Sequence, residues 1–173
     1  MIRFILLGLL FVVNASSYDQ CRLSHQSMVL IAKVEKHPKR KLGYPYLISF
    51  NNKKDAVSAK KKYKKYFIYK SKSARTIDCK SETVCLQILD DLLKHKIKNL
   101  DLGGFQINYM YHKIPKRHYF RVAESYQYAC AYAQNFTDKY GSTFKSLAMY
   151  HSGTPKYRNA YAKRMYNEYK KTK

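Results

Sequence analysis

The sequence predicts a mainly α-helical domain with one small extended or β element. Three observations predict it. Apolar residues recur at three- and four-residue spacing through several long segments; only residues 44–52 concentrate β-formers between turn residues; and six Gly and four Pro leave few breaks for an all-β chain. An apolar content of 46% with 15% aromatic residues excludes a disordered chain, so the formal charge of +23 must decorate a folded body. At 173 residues, with no internal repeat, the chain is sized for one domain.

The elements follow in order. Arg3, an apolar run from Phe4 to Val13 and then Asn14, Ala15 and Ser16 have the layout of a secretory signal peptide over residues 1–17. The alternative is a membrane anchor, but the run falls short of the roughly 20 residues that span a bilayer. Residues 18–173 are then the mature domain, with no stable membrane span. Export makes Cys21, Cys79, Cys85 and Cys130 a set for two disulfides, with three pairings open. Cys79 and Cys85 enclose five residues that can close locally, which leaves Cys21 to pin the mature N-terminus to Cys130. With no CxxC and no His pair at helical i, i+4 spacing, no metal site is expected.

Met28, Val29, Leu30, Ile31, Ala32 and Val34 make residues 23–35 a strongly apolar helix that Pro38 must stop by His37. Residues 44–52 read as a short strand or extended loop. Ala56, Ala59, Tyr63 and Phe67 then recur at helical spacing, with Lys60, Lys61, Lys62, Lys64 and Lys65 on the other faces. Ser81 can cap a helix striped by Val84, Cys85, Ile88, Leu89, Leu92 and Leu93. Residues 99–104 break that pattern as a turn, where Gly103 and Gly104 allow backbone angles or a close approach that a side chain forbids. Further helices are expected at 122–140, closed by Gly141, at 143–150 and at 155–169.

With only 11 acids in the chain, the candidates for acid and base chemistry are few. Glu35 stands out because Ile31 and Met28 precede it by four and seven residues on one helical face. Partial desolvation on that face and the negative end of the helix dipole both favour its protonated form, while Lys33, Lys36 and Lys39 oppose this. A carboxyl that holds its proton near neutral pH is what general-acid cleavage of a glycosidic bond requires. A solvated Glu paired to Lys36 or Lys39 is the structural alternative.

Three segments, in order, carry a resemblance. Ile31-Ala32-Lys33-Val34-Glu35 looks like the helix that ends in the single catalytic Glu of the soluble lytic transglycosylases. Gly103-Gly104-Phe105-Gln106-Ile107-Asn108 resembles their G-L-M-Q-I segment, and Ala148-Met149-Tyr150-His151-Ser152-Gly153 their A-Y-N-x-G segment. The chain departs from the pattern at Lys36, at Gly104 and Phe105, and at His151. The resemblance implies a lysozyme-like fold, periplasmic location, no cofactor, and cleavage of the peptidoglycan bond between N-acetylmuramic acid and N-acetylglucosamine.

In the chemistry so implied, Glu35 protonates the glycosidic oxygen while the substrate's acetamido group shields the anomeric carbon. Glu35 then deprotonates the muramoyl 6-hydroxyl, which closes a 1,6-anhydro ring without water. Gln106 would contact sugar hydroxyls or acetamido groups beside the Gly103-Gly104 turn, with Asn108 next to it. Tyr150 would hydrogen-bond Glu35, with His151 beside it, and Tyr44, Tyr46 and Asn51 would line the groove. Envelope secretion-machine components are further partners that the family allows.

Between Lys33 and Lys72 stand 14 Lys or Arg and two acids, enough to set the local potential. Anionic peptidoglycan or a membrane surface suits this face better than nucleic acid, since the chain is exported and shows no helix-turn-helix, RNP or finger pattern. Three other readings stay open on sequence grounds: a non-catalytic peptidoglycan- or partner-binding module, a hydrolytic muramidase, and a secreted basic nucleic-acid-binding protein.

Overall fold

The computed structural model describes residues 21–69 and 74–171, so the expected signal peptide lies outside the described residues. The chain is mainly helical with a small four-stranded antiparallel sheet. Helix α1 (His25–Glu35) starts two residues later than its apolar pattern predicts, because the Ser24 hydroxyl caps it by accepting the Ser27 N–H at 3.2 Å. It ends at Glu35, three residues before Pro38, and buries Met28, Leu30, Ile31 and Ala32.

Strand β1 (Leu47–Phe50) is the middle of the predicted extended stretch. It pairs with β2 (Thr76–Asp78) on one side and β3 (Leu100–Leu102) on the other; β3 then pairs with β4 (Ile107–Asn108), giving the order β2-β1-β3-β4. The expected turn at 99–104 is corrected here. Leu100, Asp101 and Leu102 form a strand, with both leucines fully buried and Asp101 on the opposite face. Three residues are too few for a period-two pattern to register in sequence.

Helix α2 (Lys53–Tyr63), capped by Asn52, seats Ala56 and Ala59 against β1 and leaves Lys53, Lys54 and Lys61 exposed. A 3₁₀ turn at Lys64–Tyr66 follows, and Phe67 bridges to Ile77 and stacks on Phe50. Helix α3 (Glu82–Lys94), capped by Ser81 as expected, buries Cys85, Ile88, Leu89 and Leu92 beneath the sheet. Helix α4 (Val122–Tyr140) ends at Gly141, whose φ of +77° is the left-handed region a side chain disfavours. The helix expected over 143–150 splits into α5 (Phe144–Leu147), held by a Thr143–Ser146 capping box, and a 3₁₀ turn at Ala148–Tyr150. Helix α6 (Pro155–Lys170) begins with Pro155 and packs on α1 and α5.

Both disulfides take the pairing that local closure suggested. Cys79–Cys85 ties β2 to α3, and Cys21–Cys130 ties the start of the described chain to α4, with Cα atoms 5.0 and 5.7 Å apart. The buried Asp78 carboxylate accepts Tyr44 Oη at 2.7 Å and Lys80 Nζ at 2.6 Å and is clasped by Arg40, so it fastens the 38–46 loop to β2. Burial pushes this carboxyl up, but the hydrogen bonds from Lys80, Tyr44 and Arg40 outweigh it and hold Asp78 below the ordinary carboxylate range. Among the described residues, no helix is long and apolar enough to cross a membrane.

Candidate active site between the sheet and the helices

A cleft of about 780 Å³ opens between the sheet, the C-terminal end of α1, the middle of α4 and the N-terminal end of α6. Glu35, as the last residue of α1, enters it from one wall with a side chain only 12% exposed. His151, just past the 3₁₀ turn, places Nδ1 3.7 Å from Glu35 Oε1 and stacks its ring on Tyr161, with centroids 4.7 Å apart. The Tyr161 hydroxyl is buried beside Glu35 without reaching good hydrogen-bond geometry; burial and the Glu35 charge raise it well above the usual tyrosine range.

The opposite wall is the sheet. Asp101 on β3 shares the cleft with Glu35 and is clamped by two amides: Asn51 Nδ2 donates to Oδ2 at 2.9 Å, and Asn108 Nδ2 donates to Oδ1 at 2.8 Å. Both amides also donate to Asn99 Oδ1, at 3.2 and 2.9 Å. Burial pushes the Asp101 carboxyl up to about 6; the Glu35 charge adds to this, against the two asparagine bonds and the His151 charge, which lower it.

Of the residues expected in the groove, Glu35, Asn51, Gln106, Asn108, Tyr150 and His151 do line it. Gln106 sits at a φ of +49° and spends one amide donor on the Gly103 carbonyl at 2.7 Å. The expected Tyr150–Glu35 hydrogen bond is corrected: Tyr150 Oη donates to the Phe105 carbonyl at 2.7 Å. Gly103 and Gly104 are buried behind the cleft. A Cβ on Gly103 would collide with the Tyr119 carbonyl oxygen, and one on Gly104 would stand 2.7 Å from the Gly43 carbonyl oxygen, so close backbone packing requires both glycines. Tyr46 lies outside the lining and packs its ring edge-on against Tyr44, which is itself committed to Asp78.

Sequence reasoning missed Asp101 and the α4 tyrosines. The available signal was Asp101 between Leu100 and Leu102, the only acid flanked by two leucines in a segment followed by a glycine pair. Tyr128 and Tyr132, one helical turn apart, stack at 13° and reach the cleft together with His112, whose Nδ1 lies 2.9 Å from Tyr128 Oη. Burial lowers the His112 pKa, favouring its neutral form. The cleft therefore offers two carboxylates, four amides and several aromatic faces, a set that can bind a polyhydroxylated, amide-bearing chain and move a proton. Comparison with protein-family models, with curated proteins and with solved structures gives no match.

Proposed function

We propose that the chain is a glycan-strand-cleaving enzyme of lysozyme-like fold. In particular, it is a lytic transglycosylase that opens the bond between N-acetylmuramic acid and N-acetylglucosamine in periplasmic peptidoglycan. The observation that carries this reading is Glu35: a nearly buried carboxyl at the end of α1, in a cleft whose facing wall bears Asn51, Gln106 and Asn108. The three segments that resemble the family's motifs supply Glu35, Gln106 and Tyr150 to that one cleft, although they lie far apart in sequence.

Glu35 acts twice. As acid it protonates the glycosidic oxygen while that bond breaks and the substrate's acetamido oxygen closes on the anomeric carbon. As base it takes the proton of the muramoyl 6-hydroxyl, which displaces the acetamido oxygen and forms the anhydro ring. His151, beside Glu35 Oε1, stabilises the carboxylate between the two half-reactions whenever it is protonated.

Digestion of purified sacculi by wild type and by Glu35→Gln, with products read by mass spectrometry, tests the proposal. Wild type should release 1,6-anhydromuropeptides, and Glu35→Gln should lose about 10³-fold or more of that activity while keeping its fold. A second reading, hydrolysis by a muramidase, is favoured by the second carboxylate, Asp101. Products one water heavier, with reducing ends, would establish it. Binding of sacculi with no product from wild type would leave a non-catalytic module.

A further inference from the structure

We propose that Asp101 is the partner of the substrate's acetamido group, accepting its N–H while the acetamido oxygen closes onto the anomeric carbon. The proposal rests on the glycan-cleaving reading and adds to it a residue for which that mechanism has no stated role.

Placement is the first argument. Buried Leu100 and Leu102 fix β3 in the sheet, so the alternation of the strand presents Asp101 to the cleft on the wall facing Glu35. A sugar whose glycosidic oxygen meets Glu35 then has Asp101 within the same cavity, and the two groups sense each other's charge.

Anchoring is the second. Asn51 and Asn108 each donate one amide proton to a different Asp101 oxygen and the other to Asn99 Oδ1, so three asparagine side chains lock one carboxylate. Two donors occupy only part of a carboxylate's roughly four lone-pair sites, which leaves acceptor capacity for a ligand N–H. A group held this firmly is preorganised before substrate arrives.

The third is charge. In a chain with 34 Lys and Arg, the Asp101 carboxylate is held by neutral amides, and among the described residues no Lys or Arg forms an ion pair with it. Its negative charge is oriented but not cancelled, which suits a cationic state of the substrate. That state forms when the proton moves from Glu35 to the leaving oxygen, the glycosidic bond breaks and the bond from acetamido oxygen to anomeric carbon forms. The positive charge then spreads onto the acetamido N–H. Asp101 takes no proton; it accepts a hydrogen bond that strengthens as the charge grows. In the second half the 6-hydroxyl oxygen bonds to the anomeric carbon, the acetamido oxygen leaves, and the hydroxyl proton goes to Glu35.

The test compares two ligands. One is a thiazoline analogue of N-acetylmuramic acid, with sulfur closing the five-membered ring in place of the acetamido oxygen, whose ring nitrogen takes up a proton and so presents an N–H beside the Asp101 carboxylate; the other is an open-chain N-acetylglucosamine oligomer. By calorimetry, Asp101→Asn should bind the thiazoline about 30-fold more weakly and the oligomer within about 3-fold, as a hydrogen bond that becomes charge-assisted only in the cyclised, cationic ring requires. On sacculi its kcat should fall about 10²-fold with KM nearly unchanged. Asn51→Ala keeps the carboxylate and removes one of its anchors; its thiazoline affinity should fall about 5-fold, and it decides the case should Asp101→Asn not fold. Wild-type thiazoline affinity in these variants, or a switch of Asp101→Asn products between anhydro and reducing ends, overturns the proposal. If wild type releases no muropeptide at all, the glycan-cleaving reading itself has failed; cleavage by wild type with Asp101→Asn unimpaired fails only the role of Asp101.

Discussion

Tyr150 donates its hydroxyl to the Phe105 carbonyl at 2.7 Å, joining two segments 45 residues apart. This bond ties the 3₁₀ turn that presents His151 to the loop that presents Gln106, and so holds two parts of the cleft lining in register. Tyr150 is buried, and burial followed by the charges of Glu35 and Asp101 raises its hydroxyl well above the usual range, so it serves as a donor at any physiological pH.

Tyr150→Phe should therefore destabilise the fold by about 1 to 3 kcal/mol, since a buried carbonyl loses its partner, and lower activity several-fold without abolishing it. Thermal melting and turnover on sacculi measure both. Loss of all activity at an unchanged melting temperature would mean that the hydroxyl acts on Glu35 directly.

The two disulfides should differ in value. Cys21–Cys130 closes a separation of 109 residues and Cys79–Cys85 one of six. The chain-entropy account gives about 4 to 5 kcal/mol for the first and about 2 kcal/mol for the second. Denaturant titrations of Cys130→Ser and Cys85→Ser should rank them in that order, and the reverse ranking would show that native contacts around Cys79–Cys85 outweigh loop closure.

Asp101 and Asp78 should tilt stability in opposite directions with pH. Asp101 is raised to about 6 by burial, so between about 4 and 6 the folded state keeps a proton that the unfolded chain has lost. Stability falls as pH rises through that window, by at most about 3 kcal/mol, and Asp101→Asn should flatten it. Asp78 is held low by its hydrogen bonds; its contribution is complete above the ordinary aspartate pKa and disappears as pH falls below it. Melting curves of wild type, Asp101→Asn and Asp78→Asn across pH 2 to 8 separate the two.

On the proposed reading, the basic face should hold the chain on polyanionic peptidoglycan without entering the reaction. Lys54, Lys61, Lys64 and Lys65 are exposed on α2 and the turn after it, and none of them lines the cleft that holds Glu35. Changing all four to Gln should weaken sacculus binding and reduce its salt dependence, because exposed charges act over a Debye length of about 8 Å at physiological salt. Cleavage of short soluble glycan fragments should stay within about 2-fold of wild type, since no substituted side chain reaches the reacting bond.

Much of this protein is written in local sequence. The 3.6-residue stripe from Val84 to Leu93, the Ser81 cap, the Gly141 stop and the Pro38 break each act within one or two turns, so α1, α3 and α4 can be read without any tertiary information. The position of Glu35 at the end of an apolar helix is legible for the same reason. The sheet is different. Strands β2, β3 and β4 have three, three and two residues, too few to carry a pattern, and exist because β1 supplies hydrogen-bond partners from distant parts of the chain.

What only the tertiary structure decided is the surroundings of residues whose placement depends on who stands opposite. Gly103 and Gly104 are fixed by the backbones of Tyr119 and Gly43, not by a ligand, and Tyr150 by the Phe105 carbonyl. Asp101, unremarked between two leucines in the sequence, becomes a second carboxylate in the cleft only when antiparallel pairing sets Asn51 and Asn108 on either side of it. Helix boundaries and one candidate acid follow from forces that act between near neighbours along the chain. The cleft, its second acid and the close glycine contacts follow from pairings between residues 7 (Asp101 and Asn108) to 61 (Gly43 and Gly104) positions apart, whose free energy appears only when the chain folds.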